Sequence, residues 1–218
     1  MPKTRIEWCD FTINPVKGLC PVACKDNQGK EYCYARRMYK RFHLRSDGTI
    51  NPAWDYEIRF VSDAMDCCLD MKAGSKVFIG STMELFGEWI KPEWLRSIFG
   101  VAELCHDITF IFLTKQPQNL IKWSPFPSNC WVGVTVTDDY HQIEALAWLS
   151  RIEAKVKFLS CEPLLGEIIL PYAGLEKVIQ WVIIGQQTPG TKTAPKIEWV
   201  EEIVKACDKA GVAVFLKY

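Results

Sequence analysis

The stretch ITFIFLTK, residues 108–115, decides how the chain is read. Ile108, Phe110, Ile111, Phe112 and Leu113 leave neither face of an extended segment polar. A strand that is apolar on both faces must be covered on both, as in a parallel sheet packed against helices. The same pattern recurs in KVFIGST (76–82), CWVGVTV (130–136), KVKFLSCEP (155–163), QWVIIGQQ (180–187) and VAVFLKY (212–218). FTINPVKG (11–18) is a candidate first strand, weakened by Pro15.

Helical stretches alternate with these runs. PEWLRSIFGVAELC (92–105) has Pro92 in a first-turn position and Leu95, Ile98, Phe99 and Ala102 at helical spacing. DDYHQIEALAWLSRI (138–152) and PKIEWVEEIVKACDKAG (195–211) repeat the pattern. In the latter, Ile197, Val200, Ile203, Val204 and Cys207 share a face, and Gly211 is a stop signal. VSDAMDCCLDMK (61–72) reads as a helix and RSDGTINPAWD (45–55) as a surface loop. Strands alternating with helices predict an α/β fold. A full eight-fold barrel takes ~250 residues. The expectation is therefore a single domain over 1–218, a partial (β/α) barrel of six or seven parallel strands with outer helices. A doubly wound open sheet is the alternative, because periodicity does not separate the two.

Composition narrows the function. The 218 residues are 49% hydrophobic and 24% charged, as in an ordinary globular enzyme. Formal net charge is zero, so a global basic footprint for nucleic acid is missing and only a local patch is left open. No apolar run approaches the ~20 residues of a membrane span. MPKTRIEWCDF at the start lacks the apolar core of a signal peptide, so a cytoplasmic location is expected, with no membrane partner.

In parallel α/β folds ligands bind at the carboxyl ends of the strands. Polar residues follow the apolar runs directly: Ser81, Thr82 and Glu84; Thr114, Lys115 and Gln116; Thr135 and Thr137; Ser160 and Glu162; Gln186, Gln187 and Thr188; Lys217. Their recurrence marks a shared site, with Lys115, Gln116, Thr135, Glu162, Gln187 and Lys217 as substrate-binding candidates lining one cavity.

Ten cysteines in a chain of this kind read as buried thiols or metal ligands rather than disulfides. Cys67, Cys68, Cys105, Cys130, Cys161 and Cys207 stand among apolar residues and read as small buried hydrophobes. Cys9 is a candidate strand residue. Only Cys20, Cys24 and Cys33 form a local group, in GLCPVACKDNQGKEYCYARR (18–37). Structural zinc takes four ligands, with Cys9 or His43 as the candidate fourth. A 4Fe–4S cluster held by three cysteines instead leaves one iron open to a substrate or cofactor.

CPVAC…YCY resembles the radical S-adenosylmethionine motif, CxxxCxxC with an aromatic residue before the last cysteine. Cys20 and Cys24 have the motif's separation and Tyr32 has the aromatic position, but eight residues instead of two precede Cys33. KDNQGK reads as a six-residue excursion with turn chemistry, which brings its ends together at low entropic cost. IEWCDFTINPVKGLC, FIGSTMELFG, FIFLTKQPQNL, WVGVTV, FLSCEPLLG and WVIIGQQTPG resemble the signature segments of a phage- and archaea-associated family of radical-SAM-like proteins of unknown substrate. Members often have Gly-Gly-Glu where this chain has Gly185-Gln186-Gln187, so no acid–base role is assigned there.

The resemblance implies a cluster loop at 18–34, in which Cys20, Cys24 and Cys33 each ligate one iron. The fourth iron would chelate S-adenosylmethionine, and reduction by an external electron donor would cleave it to a 5′-deoxyadenosyl radical. Tyr32 would pack near the adenine, and Ser81, Thr82 and Glu84 would hold the cofactor's ammonium group. Glu84 is equally well read as an acid in a helix first turn. YARRMYKRFHLR (34–45) interleaves Arg36, Arg37, Lys40, Arg41 and Arg45 with Tyr39 and Phe42. Arg37, Lys40 and Arg41 become candidates for a phosphate-bearing substrate, a nucleotide or nucleic acid, against a merely solvated helix face. The competing functions are a zinc- or cluster-stabilised binding protein without turnover, and a hydrolase or lyase that ignores the cysteines.

Overall fold

A computed structural model of the chain describes residues 3–26, 28–187 and 194–217. Thr188, expected at a strand end, Asn27 of the excursion and Tyr218 of the last apolar run lie outside the described residues. The elements follow in order as β1 (Phe11–Ile13), β2 (Val16–Lys17), α1 (Tyr34–Phe42), β3 (Arg59–Phe60), β4 (Lys76–Ile79), α2 (Pro92–Leu104), β5 (Thr109–Thr114), β6 (Cys130–Thr135), α3 (Asp139–Leu149), β7 (Val156–Cys161), α4 (Leu175–Val178), β8 (Trp181–Ile184), α5 (Ile197–Ala210) and β9 (Ala213–Leu216). No helix among the described residues is long and apolar enough to cross a membrane.

One seven-stranded parallel sheet runs in the order β1-β4-β5-β6-β7-β8-β9. Chain order and sheet order agree throughout. A doubly wound sheet reverses its order at a switch point, and none occurs here. The fold class is α/β, with the winding of a partial (β/α) barrel. Pro15 does more than weaken the first run. Its missing N–H cuts the ladder, so β1 stops at Ile13 and β2 leaves to pair antiparallel with β3, Val16 against Phe60.

The chain divides into two compact units, Met1–Phe110 and Ile111–Tyr218. In the first, β1 and β4 pair in parallel, Phe11 against Val77, and Trp8 packs on Phe78 with ring centroids 4.8 Å apart. The α2 residues expected to face inward, Leu95, Ile98, Phe99 and Ala102, are all buried. The segment Ser62–Asp70 is a 3₁₀ helix rather than an α-helix, burying Met65 and Cys68. In the second unit, β6, β7, β8 and β9 pair successively in parallel. Phe158, fully buried, lies against Trp181 with centroids 5.1 Å apart. On α5, Ile203 and Cys207 are buried and Gly211 closes the helix at φ 69°, but Ile197 is exposed. On α3, Gln142 is buried while Tyr140 and Ile143 face out.

All ten cysteines are free of disulfides. Cys68, Cys130, Cys161 and Cys207 are buried, whereas Cys67 and Cys105 are half-buried. Cys9 is buried just before β1 and belongs to no strand. Burial pushes the Cys68 thiol up to about 12 and the Cys207 thiol up to about 11, which leaves both inert at neutral pH.

Gly133 on β6 lies in register with Phe158 on β7, and a Cβ there would stand 2.3 Å from the ring. Gly133→Ala should therefore lower stability by about 1–3 kcal/mol through overpacking, read from chemical denaturation. Adding Phe158→Leu should recover part of the loss. An unchanged midpoint in the single variant would contradict this packing.

Candidate functional site

The cysteine loop starts from a backbone crossing that only glycine permits. Gly18 has φ +121°, and a Cβ on it would come within 2.5 Å of the Glu57 carbonyl oxygen. Its N–H donates to the Tyr39 hydroxyl of α1 at 2.9 Å, in a buried bond. The Leu19 N–H donates to the Tyr56 carbonyl at 3.0 Å. The loop is thus pinned at its start to α1 and to the segment before β3.

The excursion between Cys24 and Cys33 folds back on itself. Lys25 and Glu31 form an antiparallel bridge, and the Asp26 N–H donates to the Lys30 carbonyl at 3.0 Å. The Asp26 carboxylate accepts from the Lys30 and Gln28 amides at 2.8 and 3.0 Å. At the base, the Tyr32 N–H donates to the Cys24 carbonyl at 3.1 Å. The extra residues are a closed hairpin, and the chain leaves Tyr32 where it left Cys24.

Cys33 then caps α1, its Sγ accepting from the Arg36 N–H at 3.4 Å. Cys20 is buried, and Cys24 and Cys33 are half-buried. Burial pushes the Cys20 thiol up; the amides of Glu84 and Val22, directed at its sulfur, pull the other way. The negative charges of the Glu84 carboxylate and Cys33 add to the rise. The Cys24 thiol donates to the Val22 carbonyl at 3.9 Å.

The basic run turns toward this loop. Arg36 Nη2 donates to the Cys20 carbonyl at 2.7 Å, and its Nε lies 3.5 Å from the Glu31 carboxylate. Arg37 Nη2 donates to the Tyr32 carbonyl at 3.3 Å, and Lys40 pairs with Glu31 at 3.0 Å. Arg41 instead lies over the Phe42 ring at 5.2 Å. Arg36 and Arg37 thus lie against the loop, while Lys40 and Arg41 are exposed at the surface.

Ser81, Thr82 and Glu84 are brought to the same unit's strand ends. Asn14, just past β1, donates from Nδ2 to the Ser81 hydroxyl at 3.1 Å and accepts from the Thr82 N–H at 3.0 Å. The Tyr34 hydroxyl donates to the Ser81 carbonyl, tying the start of α1 to the turn after β4. Glu84 is buried and accepts from the Phe86 N–H at 3.0 Å. It lies in the irregular connection before α2, which begins only at Pro92, so the helix-first-turn reading is corrected. Asn14 was missed, although a polar residue at the end of the first run carried the same signal as the others.

The donor chemistry suits a cluster. Cys20 and Cys33 receive backbone N–H groups at sulfur, the contacts that stabilise a ligating thiolate. Among the described residues no three His, Cys, Asp or Glu side chains converge on one metal ion. A single zinc ion would require sulfurs about 2.3 Å from a common centre, whereas a cubane gives each thiolate its own iron. The candidate fourth zinc ligands make the following contacts. The Cys9 thiol donates to the Ile6 carbonyl, and His43 stacks on Tyr56 with Nδ1 at 3.1 Å from the Trp54 carbonyl.

In the second unit the strand-end candidates form pairs. Lys115 donates to the Thr135 hydroxyl at 3.3 Å. Gln116 accepts from the buried Asn119 at 3.0 Å. Glu162, past β7, pairs with Lys217, past β9, across Gly185, past β8. A Cβ on Gly185 would press on Glu162 Cγ at 3.1 Å. Gln187 is half-buried past β8. Asn119, and the Asp138–His141 pair at 2.7 Å, were not anticipated; they belong to the 3₁₀ helix Pro117–Trp123 after β5 and the start of α3, beyond the last apolar residues of the strands.

The chain belongs to the family described as protein of unknown function (DUF5131), whose model matches residues 3–218. No curated protein matches it. Among solved structures, spore photoproduct lyase complexed with dinucleoside spore photoproduct superposes with a TM-score of 0.63. The match covers 100% of this chain and 79% of that one at 10% identity, a likeness of fold.

Tyr39→Phe removes the buried acceptor of the Gly18 N–H. It should cost about 1–3 kcal/mol, measured by denaturation, and should speed amide exchange at Gly18 and Leu19. Unchanged exchange there would contradict the anchoring of the loop.

Proposed function

We propose that this chain is a radical S-adenosylmethionine enzyme whose Cys20, Cys24 and Cys33 hold a 4Fe–4S cluster. The closed hairpin carries the proposal. It reconciles the long Cys24–Cys33 spacing with the compact three-cysteine motif, because the Tyr32 N–H bonds back to the Cys24 carbonyl. The fold shared with spore photoproduct lyase, itself a radical SAM enzyme, supports the same reading. So do the segments that resemble the phage- and archaea-associated radical-SAM-like family.

The bound cluster and cofactor supply reductive cleavage of the sulfonium bond, giving methionine and a 5′-deoxyadenosyl radical. The chain's own residues bind and orient. The amides of Glu84, Val22 and Arg36 stabilise charge on the ligating sulfurs. The buried Glu84 carboxylate, with Ser81 and Thr82, receives the cofactor's ammonium, which offsets the cost of a buried anion. Tyr32 packs toward the adenine. An external reductant delivers the electron, in the cytoplasm.

The proposed substrate is phosphate-bearing, a nucleotide or nucleic acid. Lys115, Gln116, Thr135, Glu162, Gln187 and Lys217 are its proposed contacts, with Arg37, Lys40 and Arg41 steering phosphate. The similar lyase holds a dinucleoside.

Anaerobic reconstitution should give a brown protein with about four irons per chain. With a reductant it should release 5′-deoxyadenosine and methionine from S-adenosylmethionine without any substrate. Cys20→Ala, Cys24→Ala and Cys33→Ala should each lose the cluster, and Cys67→Ala and Cys207→Ala should keep it. Full iron content in Cys33→Ala would remove the ligand set. A colourless protein with stoichiometric zinc would replace the enzyme by a metal-stabilised binding protein.

A further inference from the structure

Arg36 has contacts at both ends of the cysteine loop. Its backbone N–H donates to Cys33 Sγ at 3.4 Å and its guanidinium to the Cys20 carbonyl at 2.7 Å. Its Nε lies 3.5 Å from Glu31, the residue that closes the hairpin against Lys25. The side chain is only 17% exposed, so its charge is poorly screened. Nε makes no hydrogen bond, so its contact with Glu31 is an ion pair alone. A lysine's compact ammonium cannot keep the bond to the Cys20 carbonyl and that ion pair in the same planar geometry.

We infer that Arg36 is a positioning residue that clamps the hairpin to Cys20 and sets the local charge at the sulfurs. The second half rests on the cluster reading above; the first does not. A buried positive charge beside an iron–sulfur cluster favours its electron-rich reduced form and raises its potential. Glu31 acts with the opposite sign from the other side of the same clamp. Loop closure and charge are therefore separable: Arg36→Gln and Glu31→Gln both open the clamp but change the charge in opposite directions.

The test uses the full-length protein twice. Before reconstitution, limited trypsin cleavage after the exposed Lys25 and Lys30 is followed by mass spectrometry. Arg36→Gln, which loses the bond to the Cys20 carbonyl, and Glu31→Gln, which loses the ion pair with Arg36 and the bond from Lys40, should each raise the cleavage rate about tenfold, as expected for loss of one charge-assisted bond. Arg36→Lys should also stay raised. After reconstitution, a spectroscopically monitored redox titration should place Arg36→Gln at a more negative potential than wild type and Glu31→Gln at a more positive one. Arg36→Lys should stay near wild type. Unchanged cleavage in Arg36→Gln would overturn the clamp. Potentials that do not move, or that move the same way in both glutamine variants, would overturn the charge assignment. If wild type itself binds no iron, that assignment falls with the enzyme reading, and cleavage still decides the clamp.

Discussion

The hydrogen bond from the Tyr32 amide to the Cys24 carbonyl is the constraint on which the functional account rests. Without it, eight residues separate two cysteines and the motif dissolves. With it, the excursion is a hairpin standing outside the loop, and Cys33 arrives at the N-terminus of α1 as its cap. That cap directs a backbone N–H at the sulfur, and α1 then returns Arg36, Arg37, Lys40 and Tyr39 to the loop that created it. One bond between backbone groups thus links a short stretch of sequence to the orientation of a whole helix.

The strand ends show the same economy in a different form. At several strand ends, the polar side chain beside the apolar run is engaged by a neighbouring strand end. Asn14 holds Ser81 and Thr82, Lys115 reaches Thr135, and Glu162 reaches Lys217 over a glycine that leaves room for both. Burying an ion pair such as Glu162–Lys217 is weak as a stabilising device. Its place past the strand ends, where α/β folds keep their ligands, gives it a reason.

Much of the fold was legible because parallel strands covered on both faces write themselves as unbroken apolar runs, and all six such runs form strands. Gly211 and Pro92 marked helix ends by backbone chemistry alone. Sheet order was not legible, since periodicity carries no information about which strand lies beside which. Pro15 announced a weak strand, but its diversion of Val16 and Lys17 to a second sheet depended on Phe60 and Arg59, more than forty residues away. In the site, the cysteines were legible by grouping. The direction of the basic side chains was not: arginine at helical spacing reads alike whether it meets water, phosphate or the carbonyls of Cys20 and Tyr32. The burial of Glu84 was likewise a tertiary outcome, because nothing in its local sequence distinguishes a buried carboxylate from an exposed one.

The central claim is that the three thiols hold a cluster with one iron open to S-adenosylmethionine. Electron paramagnetic resonance of the reduced, reconstituted protein tests it most directly, recorded with and without that cofactor. The account predicts a reduced 4Fe–4S signal whose g-values change when S-adenosylmethionine is added and do not change with methionine-free 5′-deoxyadenosine. A reduced cluster whose spectrum is identical in the presence and absence of the cofactor would contradict it.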